Sequence, residues 1–582
     1  MKKILLTTLN AKYVHTSLGL WYIFQFCKAD YPELVFKEYN INQDLSWVCG
    51  EIFLEKAEVV AFSTNIWNIE QTLIICRRLK LILPEITVVL GGPEVGSNPT
   101  EILNNTPSVD FIIVGEGELT FKEWLHQYQK NEPNWGIING LVYRSDGKII
   151  QNESRSDIRD LSILPTPYPE DLSEFRHKLV YYETTRGCPY QCQYCLSANE
   201  RGIRYFPIER VKRDLLQFIE NEIAQVKFVD RSFNANLKWA KDLWQFILDH
   251  PGKTNFHFEI VGDLLDEESI VILEKAPPGI IQFEIGVQTT NRESLRLIKR
   301  KMNFNCLSHQ VRQLIDRTHV FVHLDLIAGL PGEDYLSFVK TFNDNMAIRP
   351  HRLQLGFLKL LKGSGIRARV DEYGYQYTAE TPYEIIANPW ITYPEILKLK
   401  VIEDILERYY NSGRFQLSFK YLISQFDSAF DLFEQFGEWW KQQGYDRISH
   451  KGRDLYRYLL HFYEESGFNG DILKEILKYD FLYQERVIEL PEWAGDNQSG
   501  LREFGYNFWK NSENVLQYMG DCQGLAIRDI QRKVLFASFQ INPEKMVNDL
   551  SGPEAVEPVI ILFKYDQTGT KTYTIDPKEV AI

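Results

Sequence analysis

At 582 residues the chain is too long for one hydrophobic core, and about three domains are expected. Its composition, 44% hydrophobic and 25% charged, is ordinary for a soluble globular protein, and the 13% aromatic share fits sizeable cores or an aromatic-lined pocket. The net charge of −14 argues against a protein that tracks nucleic-acid phosphates, and no apolar run approaches the roughly 18–20 residues that span a bilayer.

The opening "MKKILLTTLNAKYVH" has only a short apolar run before Asn10, Lys12 and His15, too short for a signal peptide. It reads as a first strand, and a cytoplasmic location is expected. In a reducing compartment, clustered cysteines bind metal or do chemistry more often than they form disulfides.

Over residues 1–130 apolar strand-like runs alternate with amphipathic stretches. The strands are "KKILLTTL" (2–9), "VFKEYNI" (35–41), "AEVVAFST" (57–64), "ITVVLGG" (86–92) and "DFIIVGEGE" (110–118), with a helix over "IEQTLIICRRLKLI" (69–82). Short β-branched runs ending in small polar residues, each followed by a helix, predict a doubly wound parallel sheet. A ligand in such a sheet sits at the carboxyl ends of the strands. There Asn10, Ser63, Thr64, Gly91, Gly92, Gly115, Glu116 and Gly117 would share one crevice. Its glycines either let backbone approach a large ligand or merely turn strand into helix.

Residues 131–177 read as a polar connector holding a two-stranded patch, "GLVYRSDGKIIQ", and a Pro-rich linker, "LPTPYPEDL" (164–172). From 178 to 378 a second alternating series holds six strands, at 179–187, 225–233, 255–262, 281–289, 320–329 and 352–360. Helices such as 208–223 and 306–317 separate them. Six βα units predict a TIM-like partial (β/α)6 barrel, whose chemistry sits at the carboxyl ends of its strands. Asp230, Glu259, Gln288 and Asp325 lie there. Residues 379–582 read as a mostly helical extension ending in a small β unit, with a hairpin turning at "DQTGT". Trp439 and Trp440 have the spacing of core residues.

The first barrel strand leads into "RGCPYQCQYCLSAN", with Cys188, Cys192 and Cys195 spaced C-x3-C-x2-C. The chain's other five cysteines lie far apart. Structural zinc wants four closed ligands, and Cys306 and His257 are remote in sequence. A redox dithiol would leave the third thiol idle. Cubane iron–sulfur clusters normally take four thiolates; three would leave one iron open for a substrate or cosubstrate.

This stretch resembles the radical SAM superfamily motif, with Tyr194 at the aromatic position before the last cysteine. "FVDRSFN" (228–234), "IGVQTTN" (285–291) and "HLDLIAGLPGED" (323–334) resemble that superfamily's second-, fourth- and fifth-strand segments. The resemblance implies a 4Fe-4S cluster on Cys188, Cys192 and Cys195. It implies S-adenosylmethionine (SAM) on the open iron, beside Tyr194, Asp230, Glu259, Gln288, Asp325 and Gly329, and a 5′-deoxyadenosyl radical on reduction. "VVLGGPE" and "FIIVGEGELTF" resemble the cobalamin-binding domain of the cobalamin-dependent radical SAM class, which includes magnesium-protoporphyrin ester cyclase-like proteins. That implies cobalamin in the first crevice.

One departure concerns the D-x-H-x-x-G motif, whose His ligates cobalt. Here "KYVHTSLG" has Tyr13 for Asp and sets His15 one residue further from Gly19. His15 is the candidate ligand; a loop or capping role is the competing reading, since no carboxylate partner is evident. The extension resembles an uncharacterised one on members of this class.

The implied activity is methylation of an unactivated carbon of an unknown small-molecule or peptide substrate, with flavodoxin or ferredoxin as electron donor. Alternatives are a radical rearrangement or cyclisation without methyl transfer, and a non-enzymatic zinc-binding module. No catalytic residue is singled out beyond the cluster.

Overall fold

Strand β1 (Ile4–Asn10) opens a series of alternating elements: α1 (Leu18–Lys28), β2 (Leu34–Asn40), α2 (Leu45–Leu54), β3 (Val59–Ser63), α3 (Ile69–Ile82), β4 (Thr87–Gly91), α4 (Pro93–Gly96), α5 (Pro99–Asn105), β5 (Phe111–Ile113) and α6 (Gly117–Tyr128). The computed structural model describes residues 2–199, 202–487, 489–495, 501–520, 524–548, 557–566 and 569–575. Two units are distinguished, Met1–Ile396 and Leu397–Ile582.

The five strands are parallel in the order β2-β1-β3-β4-β5. Both faces are covered, so the strands are apolar at successive positions. Leu5, Leu9, Val60, Phe62, Val88 and Leu90 pack with Val48, Ile52, Ile75 and Leu79 of α2 and α3. Ile4, Leu6, Val59, Ala61 and Val89 pack with Leu20 of α1 and with Phe121, Trp124 and Leu125 of α6. Cys27, Cys49 and Cys76 are buried in these layers as small apolar groups.

The patch expected in the connector is part of this sheet. β6 (Leu141–Ser145) and β7 (Lys148–Gln151) continue it antiparallel from β5. Their turn places Asp146 and Gly147 at positive φ, 50° and 74°, as a tight hairpin requires. The Pro-rich run is packed rather than a free linker, because its apolar residues find partners. Leu164, Tyr168 and Leu172 are buried, and the Tyr168 hydroxyl donates to the Tyr181 carbonyl at 2.6 Å.

Further along come β8 (Leu179–Tyr182), β9 (Thr185–Arg186), β10 (Arg204–Tyr205), β11 (Gln225–Phe228), β12 (Asn255–Ile260), β13 (Ile281–Gln288), β14 (Phe321–Ala328) and β15 (Arg352–Phe357). Six of these form one parallel sheet in sequence order, β8-β11-β12-β13-β14-β15. Since β8 and β15 remain its edges, the barrel is partial. Ile281, Phe283, Ile285 and Val287 of β13 are fully buried. The alternate residues are polar or glycine: Gln282, Glu284, Gly286 and Gln288. Glu284 meets Lys227 at 2.8 Å and His257 at 2.9 Å across the neighbouring strands. This lumen is therefore charged, unlike the apolar layers that fill a closed eight-stranded barrel.

The segment after β15 stays with the first unit. The Gly329 carbonyl accepts from the Tyr375 hydroxyl at 3.1 Å and from Asn388 Nδ2 at 3.0 Å. The first unit thus runs past 378, the expected end of the barrel, because residues 371–396 are bonded to it.

In the same region Glu333 is buried. Its Oε1 accepts from Thr289 Oγ1 at 2.6 Å and Thr341 Oγ1 at 2.7 Å. Burial pushes its carboxyl up to about 7, from an ordinary 4.5. The native chain holds a proton that the unfolded chain loses between those values. The resulting stability is fully present below pH 4.5 and lost as pH rises through 7, at about 1.4 kcal/mol per pH unit. Glu333→Gln is expected to flatten the fall of the urea-unfolding free energy between pH 5 and pH 8. Parallel wild-type and mutant curves would remove Glu333 from this account.

The second unit packs helices Gln416–Ile423, Ala429–Gln442, Asp454–Glu465 and Asp471–Gln484 with an antiparallel sheet of strands Val534–Phe539, Val559–Asp566 and Gly569–Ile575. Trp440 and Trp439 are buried, as their spacing predicted. The expected hairpin is formed by the last two strands; turn residues 567 and 568 lie outside the described residues.

Candidate functional site

In the order β2-β1-β3-β4-β5, successive strands are added in opposite directions on either side of the β1–β3 pair. The crevice at the carboxyl ends of that pair is where such sheets bind ligands. Buried Asn68 secures it: its Nδ2 donates to the Leu9 carbonyl at 3.0 Å and the Ser63 carbonyl at 3.2 Å. Asn10 donates to the His15 carbonyl at 2.9 Å and to Glu38 at 3.0 Å, fixing the loop after β1. Gly92 has φ +109°, and a Cβ there would lie 2.9 Å from the Thr64 amide nitrogen and closer still to its carbonyl oxygen. Only glycine fits this crossing.

A cavity of about 830 Å³ opens at this crevice. Asn10, His15, Ser63, Gly91, Gly92, Gly115, Glu116 and Gly117 line it from the first sheet. Thr64 is fully buried instead, its hydroxyl donating to the Gly91 carbonyl at 2.7 Å. The Glu116 carboxylate is engaged by the Ile158 amide at 2.6 Å, Arg204 at 2.9 Å and Arg186 at 3.2 Å. The His15 ring stands edge-on to Tyr181, centroids 5.7 Å apart. Burial, Lys12 and Lys227 hold its pKa below the ordinary value, so the imidazole is neutral at pH 7.

The opposite wall of the same cavity is the barrel mouth, with Tyr181, Gly187, Leu196, Lys227, Arg231 and Glu259. Burial raises the Glu259 carboxyl to about 7, against the pull of Lys227. Gly187, at φ +91°, starts the cysteine loop. All three cysteines are free thiols; Cys192 is buried and the other two half-buried. Arg300 reaches in from the loop after Leu297, donating to the Tyr194 hydroxyl at 2.9 Å and lying 3.8 Å from Cys192 Sγ. Cys188 Sγ lies 3.9 Å from Ser232 Oγ. Among the described residues no three His, Cys, Asp or Glu side chains are gathered to hold a single metal ion. A cubane cluster places each thiolate on its own iron, and does not ask them to converge on one point. Three free thiols beside a fixed cation fit that donor set.

Asp230, Gln288, Asp325 and Gly329 do not line the cavity. Asp230 is buried and accepts from the Thr184 amide at 2.9 Å and from the Thr184 and Thr185 hydroxyls, both at 2.6 Å. It thereby anchors the segment that enters the cysteine loop. Gln288 sits at φ +70° with its buried Oε1 unbonded among the described residues. Asp325 meets His323 Nε2 at 3.1 Å inside the lumen. Gly329, at φ +89°, abuts Ile385, which a Cβ would approach to 2.8 Å.

Sequence reasoning missed several groups. Asn68 and the cavity-lining Trp67, whose Nε1 donates to the Leu9 carbonyl at 3.2 Å, carry no motif signal. Lys362 and Leu361 enter the cavity from the segment after β15, and Lys362 pairs with buried Glu94 at 3.0 Å. The Tyr383 hydroxyl also bonds Glu94. Glu94 belongs to "GGPE", whose carboxylate was the available signal. Arg186 and Glu118, paired at 2.6 Å, each lie within a quoted motif stretch but were not singled out.

Three family models match the chain: a B12-binding domain over residues 4–125, the radical SAM superfamily over 182–344, and a protein family of unknown function (DUF4080) over 371–563. A Pyrococcus horikoshii protein named as an uncharacterised methyltransferase, PH0819, is 26% identical over 309 residues, 49% of this chain and 66% of that protein. The cobalamin-dependent radical SAM methyltransferase TokK of Streptomyces tokunonensis is 22% identical over 345 residues, 56% of this chain and 50% of its own. These matches span less than two thirds of either relative. The cobalamin-dependent S-adenosylmethionine radical enzyme OxsB, solved with aqua-cobalamin and S-adenosylmethionine bound, superposes with a TM-score of 0.56. It is 14% identical, and the match covers 83% of this chain and 79% of that one. At that identity the likeness is one of fold. No described helix is long and apolar enough to cross a membrane. The crevice thus falls within the matched B12-binding domain, and the cysteine loop within the matched radical SAM domain that follows it.

Proposed function

We propose that the chain is a cobalamin-dependent radical SAM enzyme that methylates an unactivated carbon. The observation that carries this reading is the single cavity of about 830 Å³, which the strand ends of the first sheet and the mouth of the barrel line together. When bound, an iron–sulfur cluster carrying SAM would supply a 5′-deoxyadenosyl radical, and cobalamin would supply the methyl group.

The chain's own residues bind, orient and shield. Cys188, Cys192 and Cys195 would hold the cluster, and Arg300 would offset the thiolate charge beside Cys192. Thr184 and Thr185, tied to Asp230, keep the loop entrance in place. Glycines 91, 92, 115 and 117 would let backbone lie against the corrin, with Asn10 and Ser63 at the floor. Glu259 would stand over the reacting space as a carboxyl that exchanges its proton near pH 7. Leu196 and Leu361 would keep water out of the barrel mouth. An electron donor of the flavodoxin or ferredoxin kind would reduce the cluster.

The test is anaerobic purification with cobalamin supplied, then metal analysis and incubation with SAM and a reductant. About four irons and one cobalt per chain are expected, with 5′-deoxyadenosine formed. A cobalt-free protein that remains active would overturn the cobalamin part. Stoichiometric zinc without SAM cleavage would overturn the whole reading.

A further inference from the structure

Arg186 ends β9, two residues before Cys188, and its guanidinium reaches the first sheet's layer. It bonds Glu118 at 2.6 Å and Glu116 at 3.2 Å, both at the start of α6 in the first sheet's layer, and Glu183 of its own segment at 2.8 Å. Its faces lie over Tyr22 of α1, 5.1 Å from the ring centroid, and over Phe206, at 5.9 Å. Arg204, on the strand paired with β9, grips Glu116 at 2.9 Å and the Ile158 carbonyl at 2.8 Å. Little of this network meets solvent: Arg186 is 11% exposed and Glu118 5%.

A buried ion pair is weak evidence for stability, because desolvation offsets much of the attraction. Its firm consequence is geometric. A guanidinium presents five donors in a rigid plane, and three carboxylates with two aromatic faces leave this one a single orientation. Both ends of the clamp adjoin the cavity directly. On one side Arg186 is followed by Gly187 and Cys188. On the other, Glu116 and Glu118 flank Gly117, next to Gly115, and all four line the cavity. A shift of the guanidinium would pass into each loop over one or two residues.

We propose that Arg186 is the positioning residue that sets the separation between the cysteine loop and the crevice of the first sheet, and hence between cluster and corrin. This rests on the cofactor reading above. The full chain would be loaded anaerobically with iron, sulfide and hydroxocobalamin, then reduced so that the cluster and cob(II)alamin are both paramagnetic. Their separation would be read from dipolar coupling in pulsed EPR.

Wild type is expected to give one narrow distance. Arg186→Gln should broaden and lengthen it, Glu118→Gln should do so to a lesser degree, and Arg186→Lys should restore it in part. A merely structural role would lower the melting temperature and leave the distance of metal-loaded protein unmoved. Should Arg186→Gln not fold, Glu118→Gln decides alone, because it leaves Arg186 paired to two carboxylates. Variants that hold both metals and reproduce the wild-type distance would overturn the proposal and leave the cofactor reading intact. Wild-type protein lacking cobalt or iron would overturn both.

Discussion

Changing Cys188, Cys192 or Cys195 to Ala is expected to take SAM cleavage to the enzyme-free background and to strip the protein of iron. Each thiolate would hold a separate iron of one cluster, so two cannot do the work of three. The effect should be all-or-none at each position, and no graded series is expected. The structure supplies the control. Cys306 lies at the first turn of helix Phe304–Arg317, with its sulfur 3.6 Å from the Asp263 carbonyl, and does not line the cavity. Cys306→Ser should keep full iron content. Cys76 is fully buried, and burial keeps its thiol protonated. Iron content and 5′-deoxyadenosine yield, measured together under anaerobic conditions, check the series. A cysteine variant with wild-type cleavage would refute the cluster assignment.

The second large effect is expected from Gly92→Ala. At φ +109° an L-residue is strained wherever it sits, and here the new methyl would also run into the Thr64 backbone. That backbone cannot yield easily, because the Thr64 amide and hydroxyl both bond the Gly91 carbonyl, at 2.8 and 2.7 Å. The ends of β3 and β4 would have to part. A loss of more than about 4 kcal/mol is expected, the class of damage that only clashes and broken buried networks cause. Cobalamin retention should fall with it. Gly115→Ala is the matched comparison. Its φ is also positive, at +83°, but nothing lies within 4 Å of the added carbon. It should cost about 1–2 kcal/mol, the left-handed penalty alone. Thermal unfolding and cobalt content of the two variants check the ranking, and equal effects would remove the clash as the cause.

Local chemistry dictates much of this architecture. The runs around Ile4, Val59, Val88 and Phe111 are apolar at successive positions because both faces of their sheet are covered, and that pattern is visible in one dimension. The hairpin at Asp146–Gly147 is legible for the same reason, since its turn chemistry lies within two residues. That this hairpin joins the first sheet was not legible, because strand addition depends on an edge formed by a distant segment. Nor was the packing of the Pro-rich run: Tyr168 bonds Thr16 at 2.9 Å across 152 residues.

The candidate site divides along the same line. By itself the sequence determined the three-thiol spacing, the places of the glycines, and which strand ends could face a ligand. Those are properties of a few adjacent residues. Tertiary structure alone decided which polar groups are left over for a ligand. It committed Asp230 to Thr184 and Thr185, Thr64 to Gly91, and Glu116 to two arginines. It also brought Lys227, Lys362 and Trp67 to the cavity wall. A buried polar side chain must find a hydrogen-bonding partner, and which partner is nearest is set by chain segments tens to hundreds of residues away.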